Sequence, residues 1–351
     1  MANPRPFQDS ASPMSPWPGL ASRAWVLPLQ GDRETLFFYD TGAAGPAGGG
    51  AASGDPRKPL LVLIHGLGDE ADSWRRLIPL LSAAGYRVIA PDLPGFGRSR
   101  APGRINLRGH AAVMIRLLEA VGASPAYPAV LAGSSMGALI AQEAAITRPD
   151  LVEGLILLDG CFPPSRKLGG GFIFSALPFV GKRWYRAYRK NHEAAYQSLF
   201  GYYADLPGMS EEDRRFLRDR VAARVESKTQ ERAYFASLRS LIGAYWTRTR
   251  FFARGIQTFP GSILILWGEK DQILPPDSAA RLRELRPDAG FRFIPGAGHL
   301  PHQENPGETA AAILENPPLC RSSPGPRRRE TPLSGAVPEG SAESKPGGIL
   351  R

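Results

Sequence analysis

The sequence predicts an α/β protein with a doubly wound, mostly parallel sheet and helices on both faces. Two observations lead to this fold class. Short apolar segments rich in Val, Ile and Leu alternate with segments whose apolar residues recur every three or four positions. The apolar segments also lack polar alternation, as expected for strands that are buried on both faces of a sheet. Strands that alternate with helices favour right-handed crossovers and therefore a parallel sheet.

Six apolar segments are predicted to form the parallel strands. They lie at residues 60–66, 87–92, 129–133, 154–160, 262–268 and 291–295, and each ends in Gly, Pro or a polar turn residue. Ahead of them, residues 23–40 predict two strands around Gln30, Gly31 and Asp32, which would form an antiparallel edge. The Gly- and Ala-rich residues 42–54 are expected to be a flexible loop within the same domain.

Three helices are predicted between the first strands. Ser73 or Asp72 is expected to cap the first helix, because the residues that follow place Trp74 and Leu77 on one apolar face. The apolar residues of the second helix recur between residues 110 and 121. The third helix follows Ser135 and is expected to end before Pro149.

The alternation of strands and helices stops after Asp159. Residues 162–257, here called the insertion, have helical patterns and many aromatic residues but no convincing strand, so we predict a helical segment over the sheet. The core would then consist of residues 22–161 and 258–315. Residues 1–21 and 316–351 are predicted to be disordered, and the second segment contains 7 Pro, 5 Gly and 5 Ser.

The formal net charge of +10 lies in the insertion, which holds 18 of the 43 Lys and Arg residues but 8 of the 33 Asp and Glu residues. Solvated helix faces are the preferred interpretation, because several arginines have acidic neighbours in the sequence. Attraction of anionic substrates or lipid headgroups, with transient contact at a membrane surface, stays an alternative. No nucleic-acid partner is expected, because no RNA- or DNA-binding motif accompanies the charge.

Cysteine usage and hydropathy predict a cytoplasmic protein. The two cysteines, Cys161 and Cys320, are too few for a disulfide framework, and no four Cys and His residues have the spacing of a zinc site, so no metal is expected. Residues 1–20 lack the basic and apolar regions of a signal peptide. No run of 18 apolar residues is present that could cross a membrane.

The strongest local motif is the pentapeptide Gly133-Ser134-Ser135-Met136-Gly137, a GxSxG pattern between a predicted buried strand and a predicted helix. A nucleophile on such a sharp turn needs small residues two positions before and after it. Gly133 and Gly137 meet this need for Ser135, whereas a motif centred on Ser134 would place the Met136 side chain there. Ser135 is therefore the predicted nucleophile. The alternative is a tight strand-to-helix turn without catalytic function.

A serine hydroxyl becomes a good nucleophile when a base removes its proton, so a histidine must lie nearby. Loops at the carboxyl ends of parallel strands converge on one crevice, which makes His65, His299 and His302 the candidates. His299 is preferred because the glycines before it allow its loop to curl over the sheet edge. His110 is expected to be a packed helix residue, and His192 lies in the insertion.

The base needs an acid that holds its tautomer and stabilises the imidazolium. Asp271 follows the strand at 262–268, on a loop next to the one that carries His299. It is the predicted acid. Asp159, at the end of the preceding strand, is the second choice, and Asp92 is expected to stabilise its own turn.

Two backbone amides are predicted to form an oxyanion hole. The N–H of Met136 begins a helix, whose dipole also favours negative charge. The second donor is expected in the His65-Gly66-Leu67-Gly68 loop, at the N–H of Leu67.

In chain order, the motifs HGLG, PDLPGFGRS, GSSMG, WGEKD and GAGH resemble those of the alpha/beta-hydrolase fold superfamily, in its lid-bearing, esterase- or lipase-like serine hydrolase branch. The resemblance covers about residues 22–315. It implies an eight-stranded sheet, a helical lid after the sixth strand, and acyl-transfer hydrolysis without a cofactor. Ser135, Asp271 and His299 follow the chain order that this fold uses. Epoxide hydrolases and haloalkane dehalogenases carry Asp at the position of Ser135, so those activities are set aside.

The predicted function is hydrolysis of a carboxylic ester or related small acyl substrate through an acyl-enzyme on Ser135. Aromatic residues of the insertion, at 184–190 and at Tyr196, Phe200, Tyr202 and Tyr203, would line the acyl pocket or form the insertion's own core. One alternative is carbon–carbon bond hydrolysis of an acidic diketone-like substrate, with an arginine of the insertion on its carboxylate. Another is a non-catalytic member of the fold that binds a ligand.

Overall fold

The computed structural model describes residues 3–8, 14–30, 34–42, 58–100, 105–160, 162 and 176–316. Most of the predicted loop at 42–54, all of the predicted tail beyond Asn316 and residues 163–175 of the insertion lie outside these described ranges.

The described residues form one sheet of nine strands in the order β1-β2-β3-β5-β4-β6-β7-β8-β9. Strands β4 to β9 pair in parallel, and the sequence steps from β4 to both sides of the sheet, which confirms the doubly wound prediction. Strands β1 to β3 form the antiparallel edge. The strands are β1 (Arg5–Pro6), β2 (Ala24–Gln30), β3 (Glu34–Asp40), β4 (Leu60–Ile64), β5 (Arg87–Pro91), β6 (Ala129–Ser134), β7 (Val152–Leu158), β8 (Ser262–Gly268) and β9 (Gly290–Ile294).

Each central strand buries both of its faces, which explains the continuous apolar runs. In β4, Leu60, Val62 and Ile64 pack into one core layer, and the alternating Leu61 and Leu63 pack into the other. Helices cover both layers. They are α1 (Leu77–Ala83), α2 (Leu107–Ala120), α3 (Met136–Thr147), α4 (Pro178–Lys190), α5 (His192–Gln197), α6 (Glu211–Glu226), α7 (Lys228–Thr247), α8 (Thr249–Thr258), α9 (Ala280–Leu285), α10 (Pro301–Glu304) and α11 (Pro306–Leu314).

The insertion is helical where the structure describes it, and α4 to α8 lie between β7 and β8. Side chains cap several of these helices. The Ser210 hydroxyl accepts from the N–H of Asp213 at the start of α6, and the Ser227 hydroxyl accepts from Gln230 at the start of α7. None of the helices in the described part of the chain is long and apolar enough to cross a membrane.

Within residues 1–21 the structure differs from the predicted disorder. Arg5–Pro6 pair with β2 as a ninth strand, so the insertion follows the seventh strand rather than the sixth of eight. Pro18–Arg23 form a 3-10 helix. The apolar side chains of Met14 and Leu20 are buried, because they pack against the rest of the folded domain.

The predicted cap of the first helix is also different. Residues Ala71–Trp74 form a 3-10 turn, and neither Ser73 nor Asp72 caps α1. The Ser73 hydroxyl instead bonds His302, and the Asp72 carboxylate accepts a hydrogen bond from Arg98. Tertiary partners therefore replace the local capping role that the sequence pattern suggested.

Candidate active site

Ser135 lies on the turn between β6 and α3, in a backbone conformation that is rare for a side chain with Cβ. Its φ is 53° and its ψ is −115°. Such a conformation costs about 1–3 kcal/mol and persists where the surroundings hold it. Here the Ser135 N–H donates to the carbonyl of Leu158 at 2.8 Å, and the Ser135 carbonyl accepts from Ala138 at 3.0 Å.

Three glycines make room for this turn. A Cβ on Gly133 would lie 2.3 Å from the Gly137 carbonyl, and a Cβ on Gly137 would lie 2.1 Å from the Ile64 carbonyl. Both positions were predicted to need small residues. Gly160 was not predicted to belong to the site, and a Cβ there would lie 2.5 Å from the Ser135 carbonyl oxygen. A glycine directly after the strand next to the nucleophile strand is the signal that could have found it.

His299 lines the same cavity as Ser135. Its ring Nδ1 lies 2.8 Å from Asp271 Oδ2, and its backbone N–H donates to Tyr202 at 2.8 Å. The other Asp271 oxygen accepts from the backbone N–H groups of Ile273 and Leu274. With Nδ1 donating to the carboxylate, a neutral His299 has its free electron pair on Nε2, which is the tautomer that a general base needs.

Asp159, the second choice for the acid, lies beside this pair. It is fully buried and its φ is 46°. Asp159 Oδ1 accepts a hydrogen bond from the N–H of Gly268 at 2.7 Å. Asp159 Oδ2 is buried and accepts no hydrogen bond from any described residue. Burial, followed by the charge of Asp271, raises the pKa of Asp159 well above its ordinary value. A protonated Asp159 can donate a hydrogen bond to Asp271.

Asp159, Asp271 and His299 also offer one ligand atom each within 4.8 Å of one another. Two features of the described residues disfavour metal binding there. His299 Nδ1 and Asp271 Oδ2 are engaged with each other, and the raised pKa of Asp159 favours its neutral form, which is a poor ligand.

The other candidate histidines have structural partners. His65 Nε2 accepts from the N–H of Leu93 at 2.8 Å, which ties two loops together. His302 bonds Ser73, and burial lowers its pKa to about 3. His110, predicted to be packed, bonds Ser237 of the insertion at 2.9 Å, and burial lowers its pKa to about 3 as well.

The two predicted oxyanion donors lie near Ser135. Met136 is the first residue of α3, so its N–H is one of the free amides of the helix start. In the facing loop, a Cβ on Gly66 would lie 3.4 Å from Ser135 Cβ, and the next residue, Leu67, lines the cavity. The loop backbone therefore approaches the serine closely.

The cavity above Ser135 has a volume of about 250 Å³, and several aromatic side chains form part of its wall. Of the aromatic residues singled out from the sequence, Tyr196 packs inside the insertion and Phe200 is exposed, and neither lines the cavity. Residues of α7 and of the loop after β8 were missed, because their role depends on how the insertion packs. The aromatic lining residues are Trp184, Tyr185, Tyr188, Tyr202, Tyr203, Tyr234 and Phe235, with Ile273 and Leu300 nearby.

Two arginines of α6 pair with acids of the core, and for these two the structure differs from the preferred expectation of solvated helix faces. Arg224, which lines the cavity, donates to Glu70 at 2.6 Å and also pairs with Asp69. Arg220 pairs with the buried Asp72 at 2.7 Å. These contacts neutralise part of the positive charge of the insertion and join it to the core.

Comparisons with known proteins identify relatives of several activities. The sequence is 26% identical over 293 residues to a 2-hydroxy-6-oxononadienedioate/2-hydroxy-6-oxononatrienedioate hydrolase of Paraburkholderia phymatum, covering 81% of this chain and 92% of that protein. It is 27% identical to Lipase 1 of Psychrobacter immobilis, covering 74% and 76% of the two chains. The fold matches the crystal structure of a membrane phospholipase A, described as a bacterial virulence factor, with a TM-score of 0.62 and 26% identity over 84% and 86% of the two chains.

The family model described as "Alpha/beta hydrolase family" matches residues 61–312, which span the parallel strands, the insertion and the candidate site. The match extends over most of the chain and agrees with the sheet order observed in the structure. The chain therefore belongs to the alpha/beta hydrolase family, and it is a hydrolase.

Proposed function

We propose that the protein is a serine hydrolase that cleaves a carboxylic ester or a related acyl compound through an acyl-enzyme on Ser135. The observation that carries this proposal is the strained turn at Ser135, which shares a cavity with a histidine bonded to a buried carboxylate. A backbone held at positive φ is costly, and such strain is concentrated at functional sites.

In the first step, Ser135 Oγ attacks the acyl carbon while His299 Nε2 takes the hydroxyl proton. Asp271 stabilises the imidazolium through Nδ1, and the amides of Met136 and Leu67 donate to the oxyanion. The imidazolium then gives its proton to the leaving alcohol. In the second step His299 takes a proton from water, and the water oxygen attacks the acyl carbon. The bond to Ser135 Oγ then breaks, the imidazolium returns the proton to Oγ, and the acid is released.

The aromatic wall of the cavity supports an apolar acyl group as the substrate part bound there. Carbon–carbon bond hydrolysis of an acidic dienoate is the second candidate. The sequence match to the 2-hydroxy-6-oxononadienedioate/2-hydroxy-6-oxononatrienedioate hydrolase supports it, because that match covers 92% of the relative's length. The charged residues of the cavity favour an ester over an acidic dienoate as the substrate, because no unpaired arginine of the described lining is available to bind a second carboxylate. Among the described residues that line the cavity, the arginine is Arg224, and its guanidinium already pairs with Glu70 and Asp69.

Covalent labelling tests the nucleophile. The folded protein is treated with a fluorophosphonate probe, and the labelled peptide is identified by mass spectrometry. We expect label on Ser135 and loss of label in Ser135→Ala, with p-nitrophenyl ester hydrolysis reduced by about a thousandfold or more. Ser134→Ala is the matched control, because Ser134 Oγ is buried and has no hydrogen-bond partner among the described residues.

Three outcomes would contradict the proposal. Absence of label from folded wild-type protein would remove Ser135 as the nucleophile. Faster turnover of a dienoate than of any p-nitrophenyl ester, in a panel of graded acyl length, would favour carbon–carbon hydrolysis. Saturable ligand binding without turnover, unchanged in Ser135→Ala, would indicate a non-catalytic binding protein.

A further inference from the structure

A strongly basic cleft lies on the insertion, on the side of α4 and α7. Its volume is about 760 Å³. Among the described residues that line the cleft, one is acidic, Glu231, which pairs with Arg189 at 2.8 Å. The other cations of the cleft are exposed, and within the described ranges none of them forms an ion pair. They are Lys182, Arg186, Lys228, Arg232 and Arg239.

Exposed apolar side chains lie beside these cations. Phe179, in the first turn of α4, is 90% exposed, and Leu177, just before the helix, is 47% exposed. Phe179, Lys182 and Arg186 follow one another at spacings of three and four residues, so they share one face of α4. An apolar group on a face with unpaired cations is typical of helices that lie in a membrane interface.

The same helix also forms part of the active-site cavity. Trp184, which is 49% exposed, lines that cavity together with Tyr185 and Tyr188, whereas Lys182 and Arg186 line the basic cleft. Helix α4 therefore separates the basic outer surface from the aromatic cavity. A molecule held against the outer surface would lie next to the wall of the candidate active site.

We propose that α4 and the basic cleft beside it form a docking surface for an anionic lipid bilayer. The side chain of Phe179 enters the boundary between headgroups and acyl chains, and Lys182, Arg186 and the cations of α7 contact headgroup phosphates. This inference goes beyond the ester chemistry at Ser135, because docking requires no cleavage.

A bilayer explains the arrangement better than another anionic partner does. Cations alone would suit a nucleic acid or a free phosphate equally well, since the phosphate group is common to all three. The Phe179 ring, which is almost fully exposed beside these cations, has no apolar group to contact on a free phosphate ion, whereas a bilayer offers acyl chains. Stacking of Phe179 on a nucleic-acid base is the competing explanation, and the test separates it.

Vesicle co-sedimentation of the full chain tests the surface. We expect binding to phosphatidylcholine vesicles that contain phosphatidylglycerol, and little binding to phosphatidylcholine alone. Binding should weaken as salt is raised from about 0.1 M to 1 M, because the screening length falls from about 10 Å to 3 Å. The double variant Lys182→Gln/Arg186→Gln should bind these vesicles at least about tenfold more weakly than wild type.

Two further variants make the result specific. Arg250→Gln/Arg254→Gln on α8 removes the same charge at the same spacing from exposed positions, and it should bind within about twofold of wild type. Phe179→Ser keeps the charge and should weaken vesicle binding by about fivefold. Neither Phe179 nor the substituted cations line the active-site cavity, so hydrolysis of a soluble p-nitrophenyl ester reports correct folding of each variant.

Several results would overturn the docking proposal while leaving the ester proposal untouched. One is equal loss of binding in the α4 and α8 charge variants, which would mean that net charge alone matters. Another is unchanged vesicle binding in Phe179→Ser. A third is tighter binding to a single-stranded RNA oligonucleotide than to anionic vesicles, lost in Phe179→Ser.

Discussion

Ser135 and Asp159 share an unusual backbone geometry at the ends of neighbouring strands. They are the non-glycine residues with positive φ in the described part of the chain, at 53° and 46°. Ser135 follows β6, Asp159 follows β7, and Gly160 lets the two turns approach. The strain at Ser135 fits a nucleophile, whereas the strain at Asp159 places a buried carboxyl group beside Asp271. A neutral Asp159 would hold Asp271 in position without competing for His299.

Substitution of Asp159 by Asn tests its protonation. Because its pKa is raised in the folded protein, its contribution to stability is present below the unfolded pKa of about 4 and is lost as pH rises toward the folded pKa. An amide mimics the neutral acid at every pH. The free energy of unfolding of Asp159→Asn, relative to wild type, should therefore increase by about 1 kcal/mol per pH unit in this window.

Denaturant titrations of both proteins at pH 5 and pH 7 measure this difference. Asp219→Asn, at an exposed position of α6, is the control and should show no such trend. A difference between wild type and Asp159→Asn that does not change with pH would mean that Asp159 is ionised in the folded protein.

Several ion pairs join α6 of the insertion to the core. Arg224 and Arg220 reach Glu70 and Asp72, acids that are fully buried in the core. A buried charge is costly unless it is paired, so Arg220 and Arg224 each compensate an acid that the core buries. Helix α4, in contrast, presents unpaired cations to the solvent. One basic segment therefore contains both a structural and an exposed set of cations.

Replacing Arg224 by Met should destabilise the protein, because Glu70 and Asp69 lose their partner while the side chain keeps a similar length. We expect the free energy of unfolding to fall by about 3 kcal/mol. Arg215→Met on the same helix, an exposed residue without an ion pair in the described structure, should change it by less than about 0.5 kcal/mol. Urea titrations measure both values, and equal effects of the two variants would show that the pairing of Arg224 contributes little.

The N-terminal segment connects the core with the insertion. The Trp17 ring packs edge-on against Phe216 of α6 with centroids 5.2 Å apart, and its backbone N–H donates to the Tyr39 hydroxyl of β3 at 2.8 Å. Arg220 donates to the backbone carbonyl of Ser15 at 2.7 Å. Residues that the sequence predicted to be disordered thus contact two distant parts of the chain at once.

Trp17→Ala tests this contact. Burial of a Trp side chain is worth about 3–5 kcal/mol when complete, and Trp17 is half-buried, so the free energy of unfolding should fall by about 2 kcal/mol. Trp246→Ala removes a ring that is 69% exposed, and its effect should stay within about 0.5 kcal/mol. Thermal and urea unfolding measure both variants. Equal stabilities would show that the N-terminal segment does not contribute to the folded state.

Most of the sheet was predictable because each parallel strand is a short apolar run with a turn residue at its end. The two antiparallel strands on either side of residues 30–32 were predicted for the same local reason. The two-residue strand β1 was missed, since Arg5 and Pro6 have no apolar pattern and pair with β2 through the backbone alone. The prediction that Ser73 caps the first helix was wrong, because its hydroxyl hydrogen-bonds to His302, more than two hundred positions away in the chain.

In the candidate site, local pattern was sufficient to select Ser135, because the spacing of Gly133 and Gly137 reflects steric limits within one turn. It favoured Asp271 over Asp159 as the partner of His299, but both residues follow strands at the same sheet edge, so Asp159 stayed as the second choice. The structure distinguishes them: Asp271 lies 2.8 Å from the imidazole, and Asp159 is held by Gly268.

Local sequence patterns were sufficient to predict the positions of the parallel strands, the turn around the candidate nucleophile and the concentration of positive charge in the insertion. These features depend on neighbours within a few positions, where steric exclusion and hydrophobic periodicity act directly. The folded structure was needed to show which arginines pair with the core, which aromatic rings line the cavity and which carboxyl group has its pKa raised by burial. Those outcomes depend on burial and on distances between residues far apart in the chain, and no local pattern contains them.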